Sequence, residues 1–415
     1  MLLSSRGRRI GGRVALGVVS TVVLGATGYL WTQLSSLDAG IVTADVIPPA
    51  AQVDNDDSPP GEPLKVAQNL LLVGIDARTD AYGNPLPQNV LDALHAGGGD
   101  DGGDTTDTMI VVHIPAGGAA ATALSIPRDS YVDIAGGYGK HKINSAYSRG
   151  KNASMSGLRA EGLSGAQLEV AANAAGAKTA IQTVEKFTGL TINHYAAINL
   201  AGFDALSQAV GGVEVCLKAP VHDRYSGADF PAGTQTLSGA QALAFVRQRH
   251  GLANGDLDRI ARQQAFLSGM AKKVLSAGTF TDPSKLSSLV SAVQGSVVLD
   301  KGWDVLSFAQ QLRGMSSGAI AFATVPVQSL SMQTPSDGDA VKVDPAQVQQ
   351  FVRTAISTPA VQAAGDDTPG GVKPVAATGT KVPTPGSSGT SSVSGTAGTA
   401  DTKQPATSTA AGCVD

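Results

Sequence analysis

Eighteen consecutive residues, Val14 to Trp31 (VALGVVSTVVLGATGYLW), carry no charge, and no other feature constrains the architecture of this chain as strongly. At about 1.5 Å of rise per helical residue, such a run crosses most of the hydrocarbon core of a bilayer. Arg6, Arg8, Arg9 and Arg13 precede it with no acidic residue among them, which holds that end on the cytoplasmic side. Tyr29 and Trp31 suit the far interface. A cleaved signal peptide is the competing reading, but the residues that follow (TQLSSLDAG) make a poor small-residue cleavage site. The chain reads as a cytoplasmic N-terminus (1–13), a transmembrane helix (14–33) and an extracytoplasmic remainder. That remainder opens with a linker (34–64) containing the acidic, proline-rich DNDDSPPGEP.

Beyond Leu64, three apolar runs have the look of strands, and each meets charged residues at one end. LKVAQNLLLVGIDAR ends in Asp76 and Arg78, DTMIVVHIP starts at Asp107, and ATALSIPRDS ends in Arg128 and Asp129. A sheet that buries its body and gathers ligand groups along one edge has this pattern. Between the first two runs, Thr79 to Thr105 is rich in Gly, Asp and Asn and reads as a long surface loop. GGYGKHKINSAY, from Gly136 to Tyr147, departs from a phosphate-binding P-loop: Ile134 replaces its first Gly and His141 its Ser/Thr. Lys140 and Lys142 remain there as point charges. Helical spacing runs from Ala166 to Phe187 with Gly189 as a stop, and again from Leu237 to Val246 with Ser238 as cap. Residues 281–357 alternate helix and strand signals. From Thr358 the chain is rich in Gly, Ser, Thr, Pro and Ala, a composition expected to be disordered.

Phe245 to Gln264 (FVRQRHGLANGDLDRIARQQ) holds four arginines in two pairs. If the backbone is extended, Arg247 and Arg249 face the same way. Asp256 can cap a helix on which Arg259, Arg262, Gln263 and Phe266 share one side. Leu257, Ile260, Leu267, Ala271 and Val274 then form an opposite, apolar stripe. The expectation is a cationic surface on a buried support, with guanidinium forks suited to phosphate. A plain solvated basic face is the alternative.

The net charge of −4 argues against a nucleic-acid partner, so any phosphate ligand must be met by a local cluster. The six histidines are scattered without metal-ligand spacing, and no H-E-x-x-H pattern occurs. Cys216 and Cys413 are too few for a disulfide scaffold. Both fall on the oxidising side, as a pair or as two free thiols.

With LLVGIDAR, TDTMIVVHI, SIPRDSYV, KHKINSAY, TVEKFTGL–INHYAAINLAGF–GGVEV and FVRQRHGLANGDLDRIARQQ in one order, the chain resembles the LytR-CpsA-Psr family. The resemblance implies a catalytic domain over 65–357, an α/β/α sandwich with a central mixed sheet, set between the membrane helix and a disordered tail (358–415). It implies a membrane-anchored phosphotransferase that moves a glycopolymer from a polyprenyl-pyrophosphate carrier onto peptidoglycan. Its partners would be the carrier-linked polymer, peptidoglycan and the cytoplasmic membrane, with no nucleic acid. Asp76 and Asp107 match the family's magnesium-side aspartates, and Mg2+ is the implied cofactor. Arg128, Arg247 and Arg249 match pyrophosphate-binding arginines, Lys142 the Lys of its K-I-N motif, and Gln263 or Gln264 the Gln after the last arginine. Asp129, Asp258, Arg259 and Arg262 match the pattern with open roles; Asp129 or Asp107 is the candidate general base. Thr105 departs from it, standing where the family often has an Arg. A binding-only regulator of polyprenyl phosphates, or a pyrophosphatase using water as acceptor, remains an alternative. The Ala/Gly-rich composition fits a Gram-positive actinobacterium.

Overall fold

The structure, a computed structural model, describes residues 41–53, 64–98, 103–253, 255–274, 283–304, 308, 320–357 and 413–415. The expected transmembrane helix at 14–33 lies outside the described residues, and no described helix is long and apolar enough to cross a membrane.

A seven-stranded sheet consists of β1 (Val42–Ala44), β2 (Gln68–Ile75), β3 (Thr106–Ile114), β4 (Ala121–Ser125), β5 (His194–Asn199), β6 (Val297–Asp300) and β7 (Ile320–Thr324). Their order is β1-β6-β5-β2-β3-β4-β7. It is a mixed sheet: β2 runs parallel to β5 but antiparallel to β3, and β3 antiparallel to β4. The three runs read from the sequence are thus adjacent. Because β2 and β4 oppose β3, Ile75 faces Thr106 and Ser125 faces Ile110. The last residues of β2 and β4 and the first of β3 therefore share one rim, which carries Asp76, Asp107 and Arg128.

Period-two alternation sorts the strands' side chains onto two faces. Leu71, Val73, Val111 and Leu124 pack on one side with Ala177, Ala180, Ile181 and Val184 of the helix Gly165–Thr188 and with Val348 and Val352 of the helix Pro345–Ser357. Each Leu, Ile or Val among them, fully buried, contributes about 1.5–3 kcal/mol. Leu70, Ile110, Val112 and Ala123 turn to the other side, where Phe308 and the partly buried Leu267 and Phe322 join them. The helix Ser145–Ala160 lies close against Gly165–Thr188, and glycines permit the approach. A Cβ at Gly150 would come within 2.2 Å of Thr179 Oγ1, and one at Gly176 within 2.7 Å of the Tyr147 carbonyl.

Three expectations need correction. Residues 41–53 of the expected linker belong to the domain: β1 is an edge strand, and Val46, Ile47 and Ala51 are core. Their apolar character outweighs the acidic stretch that follows. The loop at 79–105 contains a helix, Gln88–Ala93, where Leu91 packs into a second apolar cluster with Leu94 and Ala96. The third concerns the tail. Cys413 is disulfide-bonded to Cys216, and Val414 forms a parallel bridge with Leu217, donating to the Cys216 carbonyl at 2.9 Å. The last three residues of the expected disordered segment are therefore docked on the strand Val213–Leu217.

Candidate active site

Arg128 follows β4 and reaches across the rim to Asp107 at the start of β3. Its Nη1 donates to Asp107 Oδ1 at 2.5 Å. Arg128 Nε lies 3.7 Å from Asp129 and 3.9 Å from Asp256. Asp129 also meets Lys142 at 3.5 Å and Arg249 at 3.8 Å, and Asp256 meets Arg259 at 2.5 Å. Arg259 Nη2 donates to the Asp107 carbonyl at 3.4 Å, closing the network. Burial pushes the Asp107 carboxyl up, but Arg128, Arg259 and Arg249 outweigh it and hold the group below the usual carboxylate range. At Asp256 burial prevails and the group is raised despite Arg259 and Arg128. Burial also lowers Arg259, against the pull of Asp256 and Asp107.

Asp76 sits one strand over. Arg78 Nη1 donates to its Oδ1 at 2.5 Å, and the Asp76 N–H donates to the Thr105 carbonyl at 3.0 Å. Thr105, in place of the family's arginine, contributes only a hydroxyl 3.4 Å from Asp107. Arg78, buried on this side of the rim, is a guanidinium the sequence reading left out of the site. Just before Thr105, Asp104 is held at a left-handed φ of 47°. Its carboxylate accepts from buried Lys151 at 2.6 Å, and Lys151 also donates to Glu169.

The arginine stretch departs from expectation in two ways. Arg247 closes the helix Gly239–Arg247, and Gln248 breaks it with φ −54° and ψ 135°. The two arginines consequently diverge: Arg249 points to Asp129, whereas Arg247 donates to the carbonyls of Leu94 and His95 at 3.1 and 3.3 Å. On the helix Asp256–Val274 the expected cationic surface is the buried face. Arg259 is 2% and Arg262 0% exposed, lying with Gln263, Phe266 and Met270, while Leu257, Leu267, Ala271 and Val274 are only half-buried. Arg262 is satisfied locally, donating to Gln248 Oε1 and to the main-chain oxygen of Asp415 beside the Phe245 ring. Burial lowers its pKa to about 10, against the pull of Asp258 and Asp415. Gln263 donates to the Val246 carbonyl at 3.3 Å, and Gln264 to the hydroxyls of Ser125 and Thr324 at 2.9 and 3.2 Å. The structure thus gathers Asp107, Arg128, Asp129, Lys142, Arg249 and Arg259, with Asp76 alongside. It turns Arg247, Arg262 and Gln263 to neighbouring scaffold, and it adds Asp256 and Arg78.

Arg128 Nε and Arg259 Nε are buried without a hydrogen-bond acceptor, as is Arg78 Nε on the Asp76 side. Buried donors in that state await a partner, and guanidinium nitrogens suit an anionic one. For magnesium, Asp76 and Asp107 stand at facing ends of adjacent strands. No group of three or more His, Cys, Asp or Glu that could hold a metal occurs among the described residues. Two carboxylates, completed by phosphate oxygens and water, fit the sparse protein ligation typical of Mg2+.

The rim over the mixed sheet interlocks four arginines and a lysine with four carboxylates. The LytR_cpsA_psr family matches residues 50–355, and the chain belongs to that family. It is 42% identical over 358 residues to the cell wall biosynthesis protein LcpA of Corynebacterium glutamicum, a match covering 86% of this chain and 68% of that protein. It is 34% identical over 224 residues to the polyisoprenyl-teichoic acid–peptidoglycan teichoic acid transferase TagU of Enterococcus faecalis, covering 53% of this chain and 64% of TagU. The chain spans about two thirds of the length of these curated relatives. Among solved structures, protein gbs0355 of Streptococcus agalactiae aligns with a TM-score of 0.51 at 20% identity, covering 71% of this chain and 89% of that one. That likeness concerns the fold alone.

Proposed function

We propose that this chain is a membrane-anchored phosphotransferase that moves a glycopolymer from a polyprenyl-pyrophosphate carrier onto peptidoglycan during cell-wall assembly. The observation that carries the reading is the pair of buried guanidinium nitrogens, Arg128 Nε and Arg259 Nε, left without acceptors inside a network of opposite charges. Membership of the family and the likeness to the teichoic acid transferase TagU support the same reaction. Arg128, Arg249, Arg259 and Lys142 bind the pyrophosphate and neutralise the charge that builds as its bridging bond breaks. The acceptor hydroxyl attacks the phosphorus next to the sugar. The bridging P–O bond breaks, and the polyprenyl monophosphate leaves. Asp107, held below the usual carboxylate range, is a weak base. Asp129, which lies against Arg128, Lys142 and Arg249, is the other candidate to take the hydroxyl proton. Mg2+, when bound, would rest on Asp76 and Asp107 and supply further neutralisation of the phosphates. The prenyl chain would insert into the apolar core between the sheet face of Leu70, Ile110, Val112 and Ala123 and the Phe308, Leu267 and Phe322 side chains that cover it. The uncharged run at 14–31, preceded by arginines, supports a position of the domain outside the cytoplasm.

The test is an assay of the full chain in lipid with a prenyl-pyrophosphate saccharide, with and without peptidoglycan fragments. Release of prenyl monophosphate matched by saccharide on peptidoglycan supports transfer. Release without an acceptor makes the protein a pyrophosphatase, and binding without release makes it a regulator.

A further inference from the structure

Among the described residues four large apolar side chains are exposed, and Tyr225 is the most open at 62%. Its ring centroid lies 4.3 Å from that of His250. The Arg224 guanidinium sits 5.0 Å from the ring centre and donates to the Tyr225 hydroxyl at 3.2 Å. His222 and Asp229 form an exposed pair at 3.3 Å on the adjoining strands Val221–Asp223 and Ala228–Phe230.

Single exposed rings are ordinary, but this one is anchored to the reaction centre. The Asp223 side chain, 2% exposed, accepts from the Tyr225 N–H at 3.0 Å and the Ser226 hydroxyl at 2.9 Å. It also accepts from the main-chain N–H of Arg249. One buried carboxylate therefore fixes both the backbone of Tyr225 and the arginine that meets Asp129. The turn is braced from its other end as well. The His95 ring packs against Gly227, where a Cβ would come within 2.9 Å, and Arg247 holds the His95 carbonyl.

We infer that Tyr225, His250 and Arg224 form a saccharide subsite, holding a pyranose ring beside the transferred phosphate. The inference rests on the phosphotransferase reading, which requires a sugar on each side of that phosphate. A pyranose presents an apolar C–H face ringed by hydroxyls. An exposed aromatic ring takes the C–H face, while guanidinium, imidazole and carboxylate groups around it take the hydroxyls. The acceptor glycan and the first sugars of the transferred polymer share this chemistry, and binding experiments separate them.

The full chain in nanodiscs is titrated with chitotetraose, and separately with a prenyl-pyrophosphate saccharide, for the parent, Tyr225→Ala, Tyr225→Phe, His250→Gln and Tyr82→Ala. Tyr225→Ala is expected to weaken one of the two ligands by about tenfold or more. Tyr225→Phe and the exposed-ring control Tyr82→Ala stay within about twofold of the parent. Loss for chitotetraose assigns the subsite to the acceptor, and loss for the carrier-linked saccharide assigns it to the donor. Unchanged affinity for both ligands, in a Tyr225→Ala protein that melts with the parent, overturns the subsite. So does a parent that binds neither ligand. Should Tyr225→Ala not fold, His250→Gln carries the same two outcomes. Equilibrium binding needs no turnover, so a protein that binds sugar through Tyr225 yet never transfers it refutes the transferase and leaves the subsite standing.

Discussion

The Arg249 guanidinium lies 3.8 Å from the Asp129 carboxylate, although Arg247, two residues earlier, is bonded to main-chain carbonyls of a different loop. Two arginines that look interchangeable in sequence therefore have separate tasks. Arg249→Lys keeps the charge and loses the fork, and is expected to weaken carrier binding or turnover by about tenfold, ~1.5 kcal/mol. Arg247→Lys is expected to cost about 1 kcal/mol of stability through its lost carbonyl bonds, with carrier affinity near the parent's. Paired melting curves and carrier titrations check both. Equal loss of affinity in the two variants would contradict the division.

Asp107 links the rim to acid stability. Burial raises its carboxyl, yet the arginines around it prevail and set its folded pKa below the ordinary 3.8. As pH falls the unfolded chain takes up this proton first, so the stability Asp107 contributes above pH 3.8 drains away as pH drops through 3.8 toward the folded value. Asp107→Asn should show a shallower fall of melting temperature than the parent from about pH 5 to pH 3. At neutral pH the same variant should lose turnover by roughly 100-fold or more. An acid melting profile matching the parent's would sink the linkage.

Magnesium dependence has its own check. If Asp76 and Asp107 hold the ion, chelation should lower turnover in the parent and change little in an already impaired Asp76→Asn protein. Isothermal titration with MgCl2 alongside the carrier analogue should then show coupled binding in the parent and none in the variant. Full parental activity in excess chelator would remove magnesium from the reaction.

Lys151 anchors the loop that leads into β3. Lys151→Met leaves the Asp104 and Glu169 carboxylates facing each other without their cation and should cost about 3 kcal/mol. Urea unfolding measures it. A change below about 0.5 kcal/mol would mean that both carboxylates are adequately solvated.

How much of this could be read beforehand follows the range of the forces involved. Strand alternation is local, so three adjacent strands of the sheet and the rim holding Asp76, Asp107 and Arg128 were legible from the sequence. The mixed sheet implied by the family resemblance is present as well. The burial of Arg259 and Arg262 was not legible, because it depends on partners that folding supplies. Arg262 finds its hydrogen-bond acceptors on Gln248 and on Asp415, the latter 153 positions away. A charged stripe without visible partners reads as surface. Asp256 looked like a helix cap, and only the fold shows it between Arg128 and Arg259. Arg247 and Arg249 were expected side by side because alternation assumes an extended backbone, and the helix ends between them.

The Cys216–Cys413 bond spans a sequence separation of 197, and its loss should lower stability by about 2–5 kcal/mol. Comparing melts of the parent and Cys216→Ser in oxidising buffer measures this. The bond also has a topological effect. It turns everything from the strand Val213–Leu217 onward, including both arginine pairs, into a covalent ring. A protease that cuts that ring once, at any bond between 216 and 413, opens it without parting the protein, and Arg249 and Asp129 remain in one molecule. Only a second cut or a reductant lets a fragment go, a tolerance of single cleavage that non-covalent packing alone does not give.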